Sequence, residues 1–254
     1  MKRVGFTISC PSSEISLRWS TCFETAYRAF CESRKSSSAA CRAYRCSTGH
    51  GRSSSLNASA ELRSLQVAYC CSVKCASRSM MNASSPKLQA LGGPEALGDD
   101  TITDMANIPF RSPSQGRYSD GTYGVLYAAR GHRTASREAA QSQRQYYNPP
   151  VGRPYPVRYP LLSWMINGNA KDIRRFLREF PCLISDDHTL CRELGARARA
   201  EGLVCLIAPS ARDRPRGVTV PIFIGGAVSQ GRADGEVTFW FSSEAPVRYR
   251  TKFN

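Results

Sequence analysis

Aspartate is missing from the first 98 residues of this 254-residue chain, appearing first at Asp99, and histidine is scarce throughout, with only His50, His132 and His188. So few histidines leave most of the sequence without the commonest metal ligand and neutral-pH acid–base group. The 11 cysteines do not fill that gap. Cys10, Cys22, Cys31, Cys41, Cys46, Cys70, Cys71 and Cys75 lie upstream, and Cys182, Cys191 and Cys205 downstream. Cys71 and Cys75 have no second ligand pair at finger or ribbon spacing, so no metal is expected. Long apolar runs are also lacking: the longest, around 161–166 and 220–228, fall far short of the roughly 20 residues that span a bilayer. Met1-Lys2-Arg3 leads into no uninterrupted apolar stretch with a small-residue cleavage site. The expectation is no secretory signal, no membrane partner and a cytoplasmic, reducing compartment.

What is there is positive charge and enough apolar residues to fold. Lys and Arg number 35 against 20 Asp and Glu, a net +15, while 41% of residues are hydrophobic and 22% charged. That mixture belongs to globular proteins. Up to Met80 there are 12 basic residues, 4 Glu and no Asp, giving +8; the remainder, 23 basic and 16 acidic, gives +7. Residues 1–80 are rich in Ser, Arg, Ala and Cys, with Ser36-Ser37-Ser38 and Ser53-Ser54-Ser55 and no sustained period. They read as a disordered or non-native low-complexity segment, with an organelle transit peptide as a competing reading. The break in composition places the start of the working protein near Met80 or Met81, with 81–107 as a lead-in and a domain over 108–254.

Within the lead-in, Leu88, Leu91, Ala96 and Leu97 suit a weak helix, and Ile108-Pro109-Phe110 an extended piece. The turn Ser119-Asp120-Gly121 precedes a buried strand over 123–128. Thr134 can cap a following helix that carries Glu138 in its first turn, has Tyr146-Tyr147 near its end and stops at Asn148-Pro149-Pro150. A strand over 157–166 follows. Ile173, Phe176, Leu177 and Phe180 then have helical spacing over 171–180, ended by Pro181. Asp187 or Thr189 opens another helix through Ala200, with Gly202 past its end. The continuous apolar run 203–208 and the segments 218–224, 237–241 and 247–249 are strands. The sum is a mixed α/β (α+β) domain without the regular alternation of a doubly wound sheet.

Two blocks of this domain resemble the RES family. The first runs Arg117-Tyr118-Ser119-Asp120-Gly121-Thr122-Tyr123-Gly124-Val125-Leu126-Tyr127-Ala128-Ala129 and continues at Thr134-Ala135-Ser136-Arg137-Glu138. The second is the apolar run 203–208 followed by Pro209-Ser210-Ala211-Arg212. The resemblance covers roughly 108–241. It implies an ADP-ribosyltransferase-like fold with a strand-rich core and flanking helices, and the poison half of a toxin–antitoxin pair. It also implies NAD⁺ as substrate, broken at the nicotinamide–ribose bond by hydrolysis or phosphorolysis or with transfer of ADP-ribose to a protein. The implied partner is an Xre-like protein antitoxin that occludes the NAD⁺ cleft.

The residue types suit that chemistry. Cleaving the nicotinamide–ribose bond builds positive charge on the sugar, which a carboxylate such as Glu138 stabilises more in the transition state than in the ground state. Arg117 can take pyrophosphate oxygens through paired hydrogen bonds, with help from Arg212. Tyr127 suits stacking on a cationic ring or holding the ribose. Ser210 suits a hydrogen bond to nicotinamide or ribose rather than nucleophilic attack. Each has a plainer reading: Arg117 as a solvated turn residue, Tyr127 as a core aromatic, Glu138 as a favourable charge near a helix start, Ser210 as a turn hydroxyl beside Pro209. His132 and His188 fall on no family position and read as surface or cap residues.

The chain departs from the family in two places. Gln141-Ser142 stands where many members have Tyr-His, and the strand with a Pro-rich lead that many carry before the Arg is not recognisable in 82–113. Two other readings stay open: an inactive copy, or a basic nucleic-acid- or partner-binding module built on the +15 charge and the Arg-rich 130–144. The charges are dispersed along the chain and no reading helix or RNA-binding motif is evident, so nucleic-acid contact by the toxin itself is not expected.

Overall fold

The computed structural model describes residues 59–70, 99–144, 155–242 and 245–254. Strand β1 is Ser59–Cys70, helix α1 Asp99–Arg111, β2 Leu126–Ala129, α2 His132–Arg144, β3 Tyr155–Asp172, α3 Thr189–Ala200, β4 Cys205–Pro209, β5 Val218–Ile222, β6 Val228–Phe241 and β7 Arg248–Phe253. The strands form one mixed sheet in the order β1-β2-β5-β4-β3-β6-β7. β3 and β4 run parallel; β1–β2, β2–β5, β5–β4, β3–β6 and β6–β7 are antiparallel ladders, and β1 also pairs with β3. The expected mixed α/β architecture is therefore present.

Two apolar layers hold the helices to this sheet. Helix α1 lays Ile102 and Ala106 against Leu162, Trp164, Ile166, Val220, Ile222 and Val228. The buried Trp164 indole satisfies its one polar atom by donating to the Ile102 carbonyl oxygen at 3.1 Å. Helix α2 contributes only small residues, Ala135, Ala139 and Ala140, to a second cluster with Val157, Tyr159, Leu161, Val237, Phe239 and Phe241. Alanines at this spacing let the helix backbone approach the aromatic sheet closely. In the 14-residue strand β6 the residues Val237, Phe239 and Phe241 alternate with half-buried Glu236, Thr238 and Trp240, the period-2 signature of a sheet with one packed face.

Several expected elements change shape. Within the stretch read as structureless, Ser59–Cys70 forms β1, which meets β2 at Ala68↔Ala129; Leu65-Gln66-Val67-Ala68-Tyr69 is too short an alternation to stand out among Ser and Arg. Ile108-Pro109-Phe110 is not extended but closes α1, because burial of Ile102 and Ala106 outweighs the missing Pro109 N–H. That helix begins at Asp99, ahead of residue 108 where the domain was expected to start. Helix α2 opens at His132, so Thr134 lies within its first turn rather than capping it and Glu138 stands in the second turn rather than the first.

Strand β3 runs on to Asp172, and the helix expected over 171–180 shrinks to a 3-10 turn, Arg174–Arg178. Pairing of Ala170 and Lys171 with Cys205 and Leu206 of β4 claims the backbone that such a helix would need. Pro181 opens a second 3-10 turn, Pro181–Ile184, instead of merely ending a helix. Helix α3 matches its expected span. The strand expected over 237–241 starts nine residues earlier, at Val228, and that expected over 247–249 runs from Arg248 to Phe253. The expected weak helix over 88–97, the start near Met80 and the stop at 148–150 lie outside the described residues.

Candidate functional site

The loop between α1 and β2 is tied to itself before it is tied to anything else. Gly116 N–H donates to the Ser119 carbonyl at 2.8 Å, the Ser119 hydroxyl donates to the Tyr123 carbonyl at 2.6 Å, and the Tyr123 hydroxyl donates to the Tyr118 carbonyl at 2.7 Å. The expected turn is present, with Thr122 N–H donating to Asp120 at 2.9 Å and Gly121 at φ +102°. Helix α3 presses on this loop so closely that a Cβ on Gly195 would lie 2.0 Å from the Tyr118 carbonyl oxygen. No other residue fits there.

Arg117 leaves this loop toward the turn before α3. Its Nη1 donates to the Ser185 carbonyl at 2.6 Å and the Leu183 carbonyl at 3.3 Å. Both acceptors are neutral, so they aim the guanidinium without cancelling its charge. Tyr127, on β2, accepts a hydrogen bond from Tyr118 N–H at 2.9 Å, and its ring fills the space a Gly116 Cβ would need, 2.4 Å from its hydroxyl oxygen. Burial pushes the Tyr127 phenol above its ordinary value, so it stays neutral at physiological pH.

Glu138 and Ser210 meet between α2 and the end of β4. The Ser210 hydroxyl donates to Glu138 Oε1 at 2.5 Å, and the Arg212 N–H reaches the same oxygen at 3.3 Å. The Ser210 oxygen in turn accepts from the N–H groups of Arg212 at 3.2 Å and Asp213 at 2.9 Å. A buried serine oxygen with two backbone donors cannot rotate away, so its proton is directed at the carboxylate. Ser210 is 3% exposed and Glu138 half-buried, which leaves the carboxylate as the member of the pair open to solvent.

Asp213, missed in the sequence, fixes this arrangement. Its buried carboxylate accepts from the Thr134 hydroxyl at 2.7 Å and from Arg137 Nη1 at 2.7 Å, with Arg133 Nε at 3.5 Å. Thr134 and Glu138 are one helical turn apart on the same face of α2, so the clamp at Thr134 sets where Glu138 points. The carboxylate Asp186 was missed as well. Arg212 Nη2 donates to it at 2.6 Å and holds its carboxyl below the usual carboxylate range, with the Arg117 field adding to the effect. The only sequence signal for either was position: Asp213 directly follows the Pro-Ser-x-Arg block, and Asp186 lies in a polar loop.

The structure thus joins Glu138 and Ser210 to each other and to the Arg212 N–H by direct hydrogen bonds, and the Arg212 guanidinium to Asp186, while Arg117, held by the Leu183 and Ser185 carbonyls, acts on Asp186 only through its charge. It does not join Tyr127 to the Glu138–Ser210 pair; that hydroxyl is engaged with the loop backbone beside Arg117. His132 sits at the start of α2 with Nε2 3.0 Å from Asp234, and His188 directly precedes α3. Among the described residues no group of three or more His, Cys, Asp or Glu is placed to hold a metal ion.

A mixed α/β sheet whose second helix delivers a carboxylate to a serine at a strand end defines a class of small, helix-flanked sheet domains with a polar side-chain cluster at one strand end. The RES domain family model matches residues 98–242, and the chain belongs to that family. Among solved structures, the toxin–antitoxin complex MbcT–MbcA of M. tuberculosis is similar, with a TM-score of 0.38 and 12% identity over 67% of this chain and 84% of that one. No curated protein matches the chain.

Proposed function

We propose that this chain is the toxin of a toxin–antitoxin pair and that it consumes NAD⁺ by cleaving the bond between nicotinamide and ribose. The observation that carries this reading is the half-buried Glu138 carboxylate, held by the Ser210 hydroxyl at 2.5 Å and by the Arg212 N–H at 3.3 Å, at the end of β4. Membership of the RES family supports NAD⁺ as the substrate and a protein antitoxin, Xre-like, as the partner.

In this reading the two arginines take the pyrophosphate, whose charge replaces Asp186 as the counterpart of Arg212. Glu138 faces the ribose, where its negative charge offsets the positive charge that grows on the sugar as nicotinamide leaves with the bonding electron pair. Ser210 and the Arg212 N–H orient that carboxylate. Tyr127 positions the Arg117 loop from beneath. Water then adds its oxygen to the anomeric carbon and loses a proton, giving ADP-ribose; phosphate in its place gives ADP-ribose 1″-phosphate; a protein side chain gives ADP-ribosyl transfer.

The test is release of free nicotinamide from NAD⁺ by the full chain and by its Glu138→Ala variant, each with and without phosphate. We expect release by the parent chain and a loss of about 10²–10³-fold in kcat in the variant, with an unchanged circular dichroism spectrum. Greater release in phosphate assigns phosphorolysis. Equal release by parent and variant would remove Glu138 from the reaction, and no release from the folded parent, either alone or with a bacterial protein extract added as acceptor, would overturn the proposal.

A further inference from the structure

The charges that are dispersed along the sequence are gathered by strand register onto one face of the sheet. In the β3–β6–β7 ladders, Arg158 pairs with Thr238 and Thr238 with Arg250, while Pro156 pairs with Trp240 and Trp240 with Arg248. Glu236 pairs with Lys252. Opposite residues in a ladder share a face, so Arg158, Trp240, Arg248, Arg250 and Lys252 lie together on one side. The other side is the packed one: Val157, Tyr159, Val237 and Phe239 are buried beneath α2, and Tyr249 packs against that cluster. Arg158, Arg248, Arg250 and Lys252 are exposed, and Trp240 is half-buried among them. One acidic residue, Glu236, sits at the margin.

We propose that this face binds single-stranded nucleic acid, a property distinct from NAD⁺ consumption at the Glu138 site. Three observations favour that partner over an acidic protein. The cations of β7 recur every second residue, about 7 Å apart, a spacing comparable to successive phosphates of an extended strand. Arg158 adds a cation about 10 Å across the sheet, two strand spacings away, so the positive field has width as well as length. Trp240 lies at the side of this row as an aromatic surface on which a base can stack irrespective of its identity. β7 also ends the sheet order, so that its outer edge has no neighbouring strand among the described residues. Among the described residues the cations of this face lie on strands rather than on a helix that could enter a duplex groove, and a strand with unpaired bases is the form that a flat basic and aromatic sheet accommodates.

Fluorescence anisotropy of a labelled oligothymidylate, titrated with the full chain, tests this directly. Four cations predict a fall in log affinity with log salt of slope about −3. Arg248→Glu combined with Arg250→Glu should weaken binding by tenfold or more, and Trp240→Ala by on the order of tenfold. Arg175→Glu with Arg178→Glu on the first 3-10 turn makes the same change of charge elsewhere and should weaken it much less. Thermal melts separate loss of contact from loss of fold, and nicotinamide release separates this face from the Glu138 site. The proposal is overturned if the β7 pair and the 3-10 pair weaken binding equally, since that reports only net charge. It is also overturned if polyglutamate binds this face as tightly as the oligonucleotide at matched salt and without dependence on Trp240, which would assign an acidic protein partner.

Discussion

The Ser210 hydroxyl, gripped by two backbone N–H groups, donates to the carboxylate of Glu138 at 2.5 Å across 72 residues of sequence. This contact joins the end of β4 to the second turn of α2, and it is the point at which the two sequence blocks meet.

Removing the hydroxyl tests that junction. Ser210→Ala leaves Glu138 without its side-chain donor and the Arg212 and Asp213 N–H groups without their acceptor. A loss of about 1–3 kcal/mol in stability is expected for unpaired polar groups at a buried position. Denaturant titration measures this, and nicotinamide release should fall in kcat rather than in KM. Unchanged kcat in a folded variant would make Ser210 a turn hydroxyl only.

Asp213 is expected to act through position. Asp213→Ala removes the acceptor for Thr134, Arg137 and Arg133 and frees the start of α2 from the β4–β5 loop. Two of those partners are arginines reaching solvent, so the cost should be about 1–3 kcal/mol rather than that of a fully buried pair. Thr134→Val, which breaks only one of the contacts, should lower kcat by a smaller factor than Asp213→Ala. Equal effects from both would show that the hydroxyl alone sets the helix.

The packing of Tyr127 on Gly116 separates shape from hydrogen bonding. Gly116→Ala places a methyl 2.4 Å from the phenolic oxygen and must displace either the ring or the loop that carries Arg117. It should raise KM for NAD⁺ by tenfold or more. Tyr127→Phe, which keeps the ring and loses only the acceptor for Tyr118 N–H, should raise it less. A larger effect from Tyr127→Phe would place its hydroxyl on the substrate.

Asp186 competes with an incoming anion for Arg212. Asp186→Asn should lower KM for NAD⁺ a few-fold, leave kcat within about twofold and hardly move the thermal midpoint, because exposed ion pairs contribute little to stability. The Asp186 carboxyl is held below its ordinary 3.8, so its interaction is fully present above that pH and is lost only as pH falls through the depressed folded value. Between pH 5 and 8 the difference between parent and variant should therefore be constant. A KM that rises in the variant would show that Asp186 positions Arg212 instead.

Burial pushes the Cys205 thiol up to about 12 and also raises that of Cys191. Both side chains are buried, as is Cys182. Iodoacetamide at pH 8 should leave Cys191 and Cys205 unmodified in the folded protein and label them in urea, as peptide mapping would show. Labelling in the folded state at the rate of a free thiol would refute the packing of α3 and β4.

Local pattern was enough for the elements whose own residues decide them. Helix α3 was legible because its apolar positions and the glycine after its end agree, and β4 because the continuous apolar run 203–208, bounded by Gly202 and Pro209, is too short for a helix. Elements decided by distant partners were not. The first 3-10 turn has a helical spacing of apolar residues that β4 overrides by pairing with the end of β3, and α1 survives a proline because the sheet buries its apolar face. Long strands were underestimated, since β6 carries Ser229, Gln230, Gly231 and Arg232 through a stretch held by its ladder to β3 rather than by strand propensity.

The sequence by itself determined that two separated blocks hold an Arg, a Tyr, a Glu and a Ser in family order, and that a mixed α/β domain surrounds them. Only the tertiary structure decided that Asp213 clamps α2, that Asp186 pairs with Arg212, and that Arg158 and β7 share a face with Trp240. The physical reason is that hydrogen bonds and charge pairs between residues tens of positions apart depend on strand order and register, which non-local backbone pairing sets. A linear pattern specifies each strand's faces, but not which strand will lie beside it.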